Sequence, residues 1–464
     1  MARRGAPGLQ AGVRCLGERE HPGLSAVAAP SDRGAHPTQC EVGPNPTGRN
    51  PGAIMESATR PHGAVLSRPW TSAGALSTAA SPMLSLDDPD ADVDLRALHT
   101  PGGFVWWYAE VMDGAGNGVV LIWSFGLPFL PGTRAQPTPA WRRPAIHVAA
   151  YQAGRESLYA LHEVSPDRAV WQPRRGGSTE RWRFGDSVIE THRTGDRTEL
   201  MAQLAVPVVG GVVRGSLRLH GPTARWLPTG RGPSSPGGTP AAELASHLWT
   251  PMVGAACATA LLRCGEALVA VNGRGYHDRN ASVRPLHRLG IGRWLWGRWA
   301  LEDEDRAVYA LWPVDGGPAI VLGYTLGADG VIRDQGALDL KASGWRLSRW
   351  GLTWARQIAI QHRDAPASAR SFGVLRVRHR VDDGPFYQRQ LCEAEGGHGT
   401  LETIAPGRID LAPLRALVRM RVSHAVAPGS RWLALFEGPR RGRWRRLLRH
   451  WLSRWLRPTA AESR

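Results

Sequence analysis

Short apolar runs recur along most of this chain with a turn cluster about every ten residues, and that rhythm restricts the fold more than any other feature. From about residue 86 to 285 the runs are FVWWYAEV, GVVLIWSF, AIHVAAY, MAQLAVPVV, VVRGSLRLH and EALVAVNGRGY. Each has the length of a strand and few hold a helical period, the signature of an all-β sandwich or barrel. The runs resume in AVYALWPV, AIVLGYTL, GVLRVRHRV and RWLALFEG, which predicts a second β domain over 286–439 beside a first over 86–285. The arginine and tryptophan mixture LGIGRWLWGRW marks the change of region, and DLAPLRALVRMRV accommodates one helix. Glycine and proline, 91 of 464 residues (55 and 36), argue in the same direction, against a helical bundle.

Both ends depart from this pattern. Residues 1–85 are rich in glycine and proline, and up to residue 82 Trp70 is the one aromatic. Such a stretch buries too little apolar surface to offset the entropy of ordering, and reads as disordered or as an extension upstream of a start at Met83. A second flexible insertion is read at Pro228–Glu243. Over 440–457 the period changes to that of a helix. Trp444, Leu447, Leu448, Trp451, Leu452, Trp455 and Leu456 fall on one stripe, and eight arginines, among them Arg445, Arg446 and Arg449, fill the rest with no acid. This predicts a basic amphipathic helix lying on an anionic membrane surface through Trp444, Trp451 and Trp455. Packing on the protein's own barrel ranks second and nucleic acid last. The overall net charge is +17.

Five cysteines without C-x-x-C spacing suggest neither a disulfide framework nor a zinc ribbon, and fit a reducing compartment. No signal peptide or spanning segment is read, so the expected location is cytoplasmic, at the inner membrane face. Phosphate-loop, zincin and serine-hydrolase motifs are absent, and the G-x-G of LGIGRW reads as a turn.

What remains is a constellation on three strands. In GRGYHDRN, Tyr276, Asp278 and Asn280 share one strand face, with His277 and Arg279 on the other. In HLWTP, His247 and Trp249 share a face, and in FVWWYAEV so do Phe104, Trp106, Tyr108 and Glu110. Were these strands to line one barrel, its interior would hold acids, a histidine, tyrosines and tryptophans in an apolar cavity. Taken one at a time each reads first as a turn cap, a satisfied histidine or a core aromatic, and it is the three motifs together that raise the reading as a site.

These blocks, PGGFVWWYAEV, GVVLIWSFGLPFLPG, HLWTP, GRGYHDRN with RWLWGRW, and GPFYQR, resemble in this order, from about Pro101 to Leu435, the carotenoid 1,2-hydratase (hydroxyneurosporene synthase) family. The chain departs from the family's usual pattern at Leu127, at Gly132-Thr133 and at Ala281-Ser282. The resemblance implies two tandem lipocalin-like domains, no cofactor, and addition of water to the terminal 1,2 double bond of an acyclic carotenoid such as lycopene or neurosporene. By matched position it puts catalytic roles on His247, Trp249, Tyr276 and Asp278. Substrate contacts are expected at Trp106, Tyr108, Glu110 and Asn280. Asp278 is the expected proton donor, since burial raises a carboxyl pKa, and Glu110 a candidate base for the attacking water. The same acid and aromatics would equally serve a terpenoid or polyketide cyclase or isomerase, and a lipocalin-like barrel without chemistry would carry a lipid or pigment.

Overall fold

The computed structural model describes residues 83–129, 137–174, 176–208, 211–226, 247–411, 424–425, 436–437 and 441–442. These residues form an almost purely β architecture, in chain order β1 (Leu84–Leu86), β2 (Phe104–Met112), β3 (Gly118–Phe125), β4 (Pro144–Gln152), β5 (Arg155–Glu163), β6 (Ala169–Gln172), β7 (Thr179–Phe184), β8 (Ser187–Thr194), β9 (Arg197–Val208), β10 (Gly211–Pro222), β11 (Arg225–Trp226), β12 (His247–Cys264) and β13 (Ala267–Ser282). Then follow β14 (Ile291–Ala300), β15 (Glu304–Pro313), β16 (Ile320–Gly327), β17 (Val331–Asp334), β18 (Leu338–Leu347), β19 (Thr353–His362), β20 (Ser371–Asp383), β21 (Tyr387–Ala394), β22 (Gly397–Ile404), β23 (His424–Ala425), β24 (Phe436–Glu437) and β25 (Arg441–Gly442).

The strands assemble into two large sheets. The first runs β23-β5-β4-β3-β2-β13-β12-β10-β9-β8-β7-β6 with β1 beside β12, and the second runs β11-β17-β16-β15-β14-β22-β21-β20-β19-β18. Nearly all neighbours are antiparallel, as hairpin connections between consecutive strands require.

Each sheet curls around a core of its own. In the first, one face of β2, β3, β4, β7, β8, β9 and β12 converges on a single cluster that includes Trp107, Trp123, Trp182, Ile146, Ile189 and Val253. In the second, Leu295, Trp299, Val308, Ile360, Phe372 and Leu375 do the same. Alternation then sends the intervening residues to the outer face of each curl. On β2 these are Phe104, Trp106 and Tyr108, on β13 Tyr276, and on β14 Trp294 and Trp296; together they form a third cluster between the two sheets. This third cluster joins the two curls along their facing sides.

The amphipathic segment expected over 440–457 lies outside the described residues from Arg443 onward, including Trp444, Arg445, Arg446, Arg449, Trp451 and Trp455. Its first described residues are not helical: Arg441–Gly442 pair antiparallel with Phe436–Glu437. The insertion Pro228–Glu243, the helix expected within DLAPLRALVRMRV and residues 1–82 also lie outside the described residues. Among the described residues no helix is long and apolar enough to cross a membrane.

Candidate active site

The expected site residues do not line the inside of a barrel. Four of them, Trp106, Tyr108, Asp278 and Asn280, line a pocket between the two sheets, because the inner faces are already filled by the tryptophan and aliphatic cores and the alternate residues must face outward. Strand register explains how residues far apart in sequence meet. In the first sheet a transverse row runs Asp278–Tyr108–Ile122–His147–Leu161 across β13, β2, β3, β4 and β5. The next row is Asn280–Trp106–Ser124–Ala145. Facing them in the second sheet are Tyr309–Trp296–Glu402 and Trp294–Ile404–Tyr387, on β15, β14, β22 and β21. All of these side chains line the pocket, which measures about 1150 Å³ including the space open to solvent.

Tyr159, Phe386 and the segment Gly126–Phe129 complete its rim. Gly126 turns the chain out of β3 with φ +87°, and a Cβ there would sit 2.8 Å from the Gly103 carbonyl oxygen and 3.1 Å from the Phe104 Cβ. Only glycine fits. Phe129, delivered by that turn, stacks on Phe386 at 5.7 Å and meets Trp106 and Trp294, bridging the two sheets at the rim.

Asp278 is the polar focus of the first sheet's wall. Its Oδ2 accepts hydrogen bonds from Trp249 Nε1 at 2.8 Å and Tyr276 Oη at 3.0 Å, and its Oδ1 from Asn280 Nδ2 at 3.0 Å. Tyr276 is 2.5 Å from the Tyr324 hydroxyl of the second sheet. No cation stands among these donors. Burial therefore governs the carboxyl and pushes its pKa up to about 7; the bonds from Trp249 and Tyr276 oppose this, and the charges of Glu402 and Glu110 add to it. At neutral pH a large share of Asp278 carries a proton, and Oδ1, with one lone pair taken by Asn280, is the oxygen free to present it.

His247 reaches this carboxyl through an amide. Since Asn280 Nδ2 donates to Asp278, its Oδ1 accepts from His247 Nε2 at 2.9 Å, which leaves Nδ1 as a lone pair with no hydrogen-bond partner. Phe104, Trp106, Trp294 and Tyr309 surround the ring at 5.2 to 6.0 Å, and this burial drops its pKa to about 4. The imidazole is therefore neutral and orients Asn280; it does not serve as an imidazolium acid.

Of the expected site residues, Asp278, Asn280, Trp106 and Tyr108 form the pocket wall. Trp249 and Tyr276 stand behind Asp278 and hold it, so the indole of Trp249 offers its N–H to the acid and no face to the pocket. Glu110 stands apart from these. It lies one row away from Asp278, opposite Tyr276, is fully buried, and is not on the pocket wall. It accepts from the Tyr108 hydroxyl at 2.5 Å and pairs with Arg298 at 3.4 Å, so it has no access to a bound water in the pocket. Trp294, Trp296, Tyr309, Tyr387 and Glu402 were not anticipated as site residues. The alternation of Trp294 and Trp296 in GRWLWGRW was a visible signal for two of them, whereas Glu402 carries none.

Glu402 is the second acid of the wall. Arg389, its partner in register on β21, pairs with it, and Arg389 Nε also donates to the Tyr387 hydroxyl at 2.8 Å. The Arg389 guanidinium lies over the rings of Tyr108, Tyr151 and Tyr387. Burial raises the pKa of Glu402, and the charge of Arg389 pulls it back.

No curated protein sequence matches the chain. Among solved structures, CghA with Sch210972 aligns at 14% identity over 66% of this chain and 88% of that one, with a TM-score of 0.43. An AttH protein from Nitrosomonas europaea aligns at 14% identity over 65% and 92%, TM-score 0.42. Kievitone hydratase from Nectria haematococca aligns at 9% identity over 73% and 98%, TM-score 0.33. The model of the family described as carotenoid hydratase CrtC matches residues 238–427, after the FVWWYAEV and GVVLIWSF blocks and across HLWTP, GRGYHDRN, RWLWGRW and GPFYQR. Over that stretch, which carries His247, Trp249, Tyr276, Asp278 and Glu402, the chain is similar to the carotenoid hydratase CrtC family.

Proposed function

We propose that the protein is a hydratase that adds water to the terminal 1,2 double bond of an acyclic carotenoid, lycopene- or neurosporene-like, to give a 1-hydroxy product. The observation that carries this reading is an uncharged-leaning carboxyl, Asp278, fixed by three donors in the wall of an otherwise aromatic pocket. The family match over its strand supports the same chemistry.

Protonating an isoprenoid end at the less substituted alkene carbon forms a C–H bond, leaves Asp278 as carboxylate, and puts a tertiary cation at the neighbouring carbon. Trp249 and Tyr276 already point donors at Oδ2 and Asn280 at Oδ1, the two oxygens that share the negative charge of the carboxylate, so little rearrangement accompanies the transfer. The faces of Trp106, Trp294 and Trp296 border the pocket and would stabilise the cation by about 0.5–2 kcal/mol each. Water then adds to the cation and loses a proton, giving the tertiary alcohol. The substrate of such a reaction resides in a bilayer, and the tryptophan and arginine segment 440–457 would hold the protein at that surface; its deletion should weaken binding to anionic vesicles.

Expression in a lycopene-accumulating bacterium, with pigment analysis, tests the reading. Accumulation of 1-hydroxy carotenoid by the wild type and its absence with Asp278→Asn is the expected result. Unchanged pigments with a stable wild-type protein would remove it.

A further inference from the structure

Hydration needs two opposite proton movements, one onto carbon and one off the attacking water, and Asp278 has delivered its proton by the time the second is due. The pocket wall holds one other carboxyl among the described residues, Glu402. It comes from the opposite sheet. Its row, Tyr309–Trp296–Glu402, faces the row that carries Asp278 and Tyr108, and the Tyr108 and Trp296 rings pack at 5.3 Å across the gap. Asp278 and Glu402 therefore border one cavity from opposed walls.

Their surroundings differ in the way a donor and an acceptor of protons should differ. Asp278 is held by neutral donors alone, while Glu402 is paired with a guanidinium that is itself 1% exposed and fixed by Tyr387. The Glu402 side chain keeps 13% of its surface accessible, so the pairing does not seal it from the cavity. We infer that Glu402 is the catalytic base of the hydration, binding the attacking water on the second sheet's wall and taking its proton. This inference rests on the hydration reading above.

The step balances. Asp278 gives a proton to the alkene carbon, the water oxygen forms the new C–O bond with the cation, and the proton it sheds goes to Glu402. Return of that proton through solvent to Asp278 resets both groups. Arg389 favours the charged form of Glu402 before the step, and burial makes the carboxylate a better base than one in water.

The test separates protonation from water capture. Purified Glu402→Gln, with lycopene in detergent micelles in D₂O, should form alcohol at least about a hundredfold more slowly, the usual cost of losing a general base. It should still place deuterium at the vinyl carbon, because the cation, left without activated water, returns a proton to Asp278. Asp278→Asn should lose both alcohol and exchange. If Glu402→Gln leaves Arg389 unpaired and the protein unfolded, the double variant Arg389→Met, Glu402→Gln removes the stranded charge and is read in the same way. Alcohol formation near the wild-type rate in the folded variant, or loss of exchange together with alcohol, would overturn the assignment to Glu402 while leaving the hydratase reading intact. A wild type that forms neither alcohol nor exchanged alkene would instead overturn the hydratase reading, and this inference with it.

Discussion

Two neighbouring rows of the same sheet treat a buried carboxyl in opposite ways. Glu110 and Asp305, both fully buried, meet the guanidinium of Arg298 between the sheets, at 3.4 Å and 2.7 Å. One row along, Asp278 is as deeply buried and meets an indole N–H, a phenol and an amide, with no cation. A guanidinium in a low-dielectric seam compensates a carboxylate charge, whereas neutral donors compensate it only in part, so the second arrangement pushes the acid's pKa up to about 7. The seam thus has a row whose carboxyls are paired with a cation and a row whose carboxyl is not, and on the proposed reading the second is the one that transfers a proton.

The largest expected effect tests the second row. Asp278→Asn keeps the shape and the contacts of Trp249 and Tyr276 but removes the acid, and 1-hydroxy product should fall by about a hundred- to ten-thousandfold in a protein that melts near the wild type. Turnover like that of the wild type would erase the distinction between the rows. Next in size is a break in the first row. Arg298→Met leaves two buried carboxyls without their cation and should cost about 3–5 kcal/mol in urea unfolding. A loss under about 1 kcal/mol would mean that the seam does not depend on the charge pairing.

The pH dependence divides the rows again. On the hydration reading proposed above, the acid form of Asp278 is the active one and burial pushes its pKa up to about 7, so kcat/KM should fall about tenfold per unit above that value, and fall again on the acid side where Glu402 takes up a proton. The stability contributions run differently. For Asp278 the folded pKa is above the unfolded one, so its share of stability declines as pH rises from about 4 to 7. His247 and His277, both held at about 4 by burial, contribute stability that is full above pH 6.5 and is lost as pH falls toward 4. Glu180 and Glu402, also raised by burial, act with Asp278, and His398, also lowered, acts with the two histidines, so carboxyls and imidazoles oppose one another over this range and thermal melts between pH 7 and 4 should shift less than either set alone would make them.

How much of this is legible in the sequence follows from what is local. The grouping of Tyr276, Asp278 and Asn280, and its separation from His277, is a consequence of strand alternation, and the structure places His277 in the first sheet's core, stacked on Trp123 at 5.5 Å. The trio His247, Asn280, Asp278 is nearly as local, since β12 and β13 form one hairpin and their register follows from it. The second wall is not local. Glu402 joins the pocket only because β22 pairs with β14 and the two sheets then meet back to back, relations that no short motif encodes. The partner of Glu110 is equally hidden: alternation groups Glu110 with Trp106 and Tyr108, but Arg298, which pairs with it, lies 188 positions away. Likewise, alternation assigns each residue a face without saying whether that face lies inside a curl or between two, and the tryptophans on both faces of FVWWYAEV made the two indistinguishable.

The smallest expected effect is the most discriminating, because it changes the acid without removing it. Trp249 donates its indole N–H to Asp278 Oδ2, and that bond favours the carboxylate. Trp249→Phe deletes the donor and keeps an aromatic ring against Tyr309 and Tyr324, whose rings lie 5.2 and 4.9 Å away. A hydrogen bond to a charged group is worth about 1.5–3 kcal/mol, of which Tyr276 and Asn280 recover a part, so the descending limb of the pH profile should move upward by about one unit. At low pH, where Asp278 is protonated in either protein, the rates should nearly coincide, and they should separate as the pH rises, with the variant the faster above about pH 7. A role for Trp249 as a face that stabilises the cation predicts the opposite: a drop in rate at every pH with the limb unmoved. The two outcomes are separated by a single pH–rate profile.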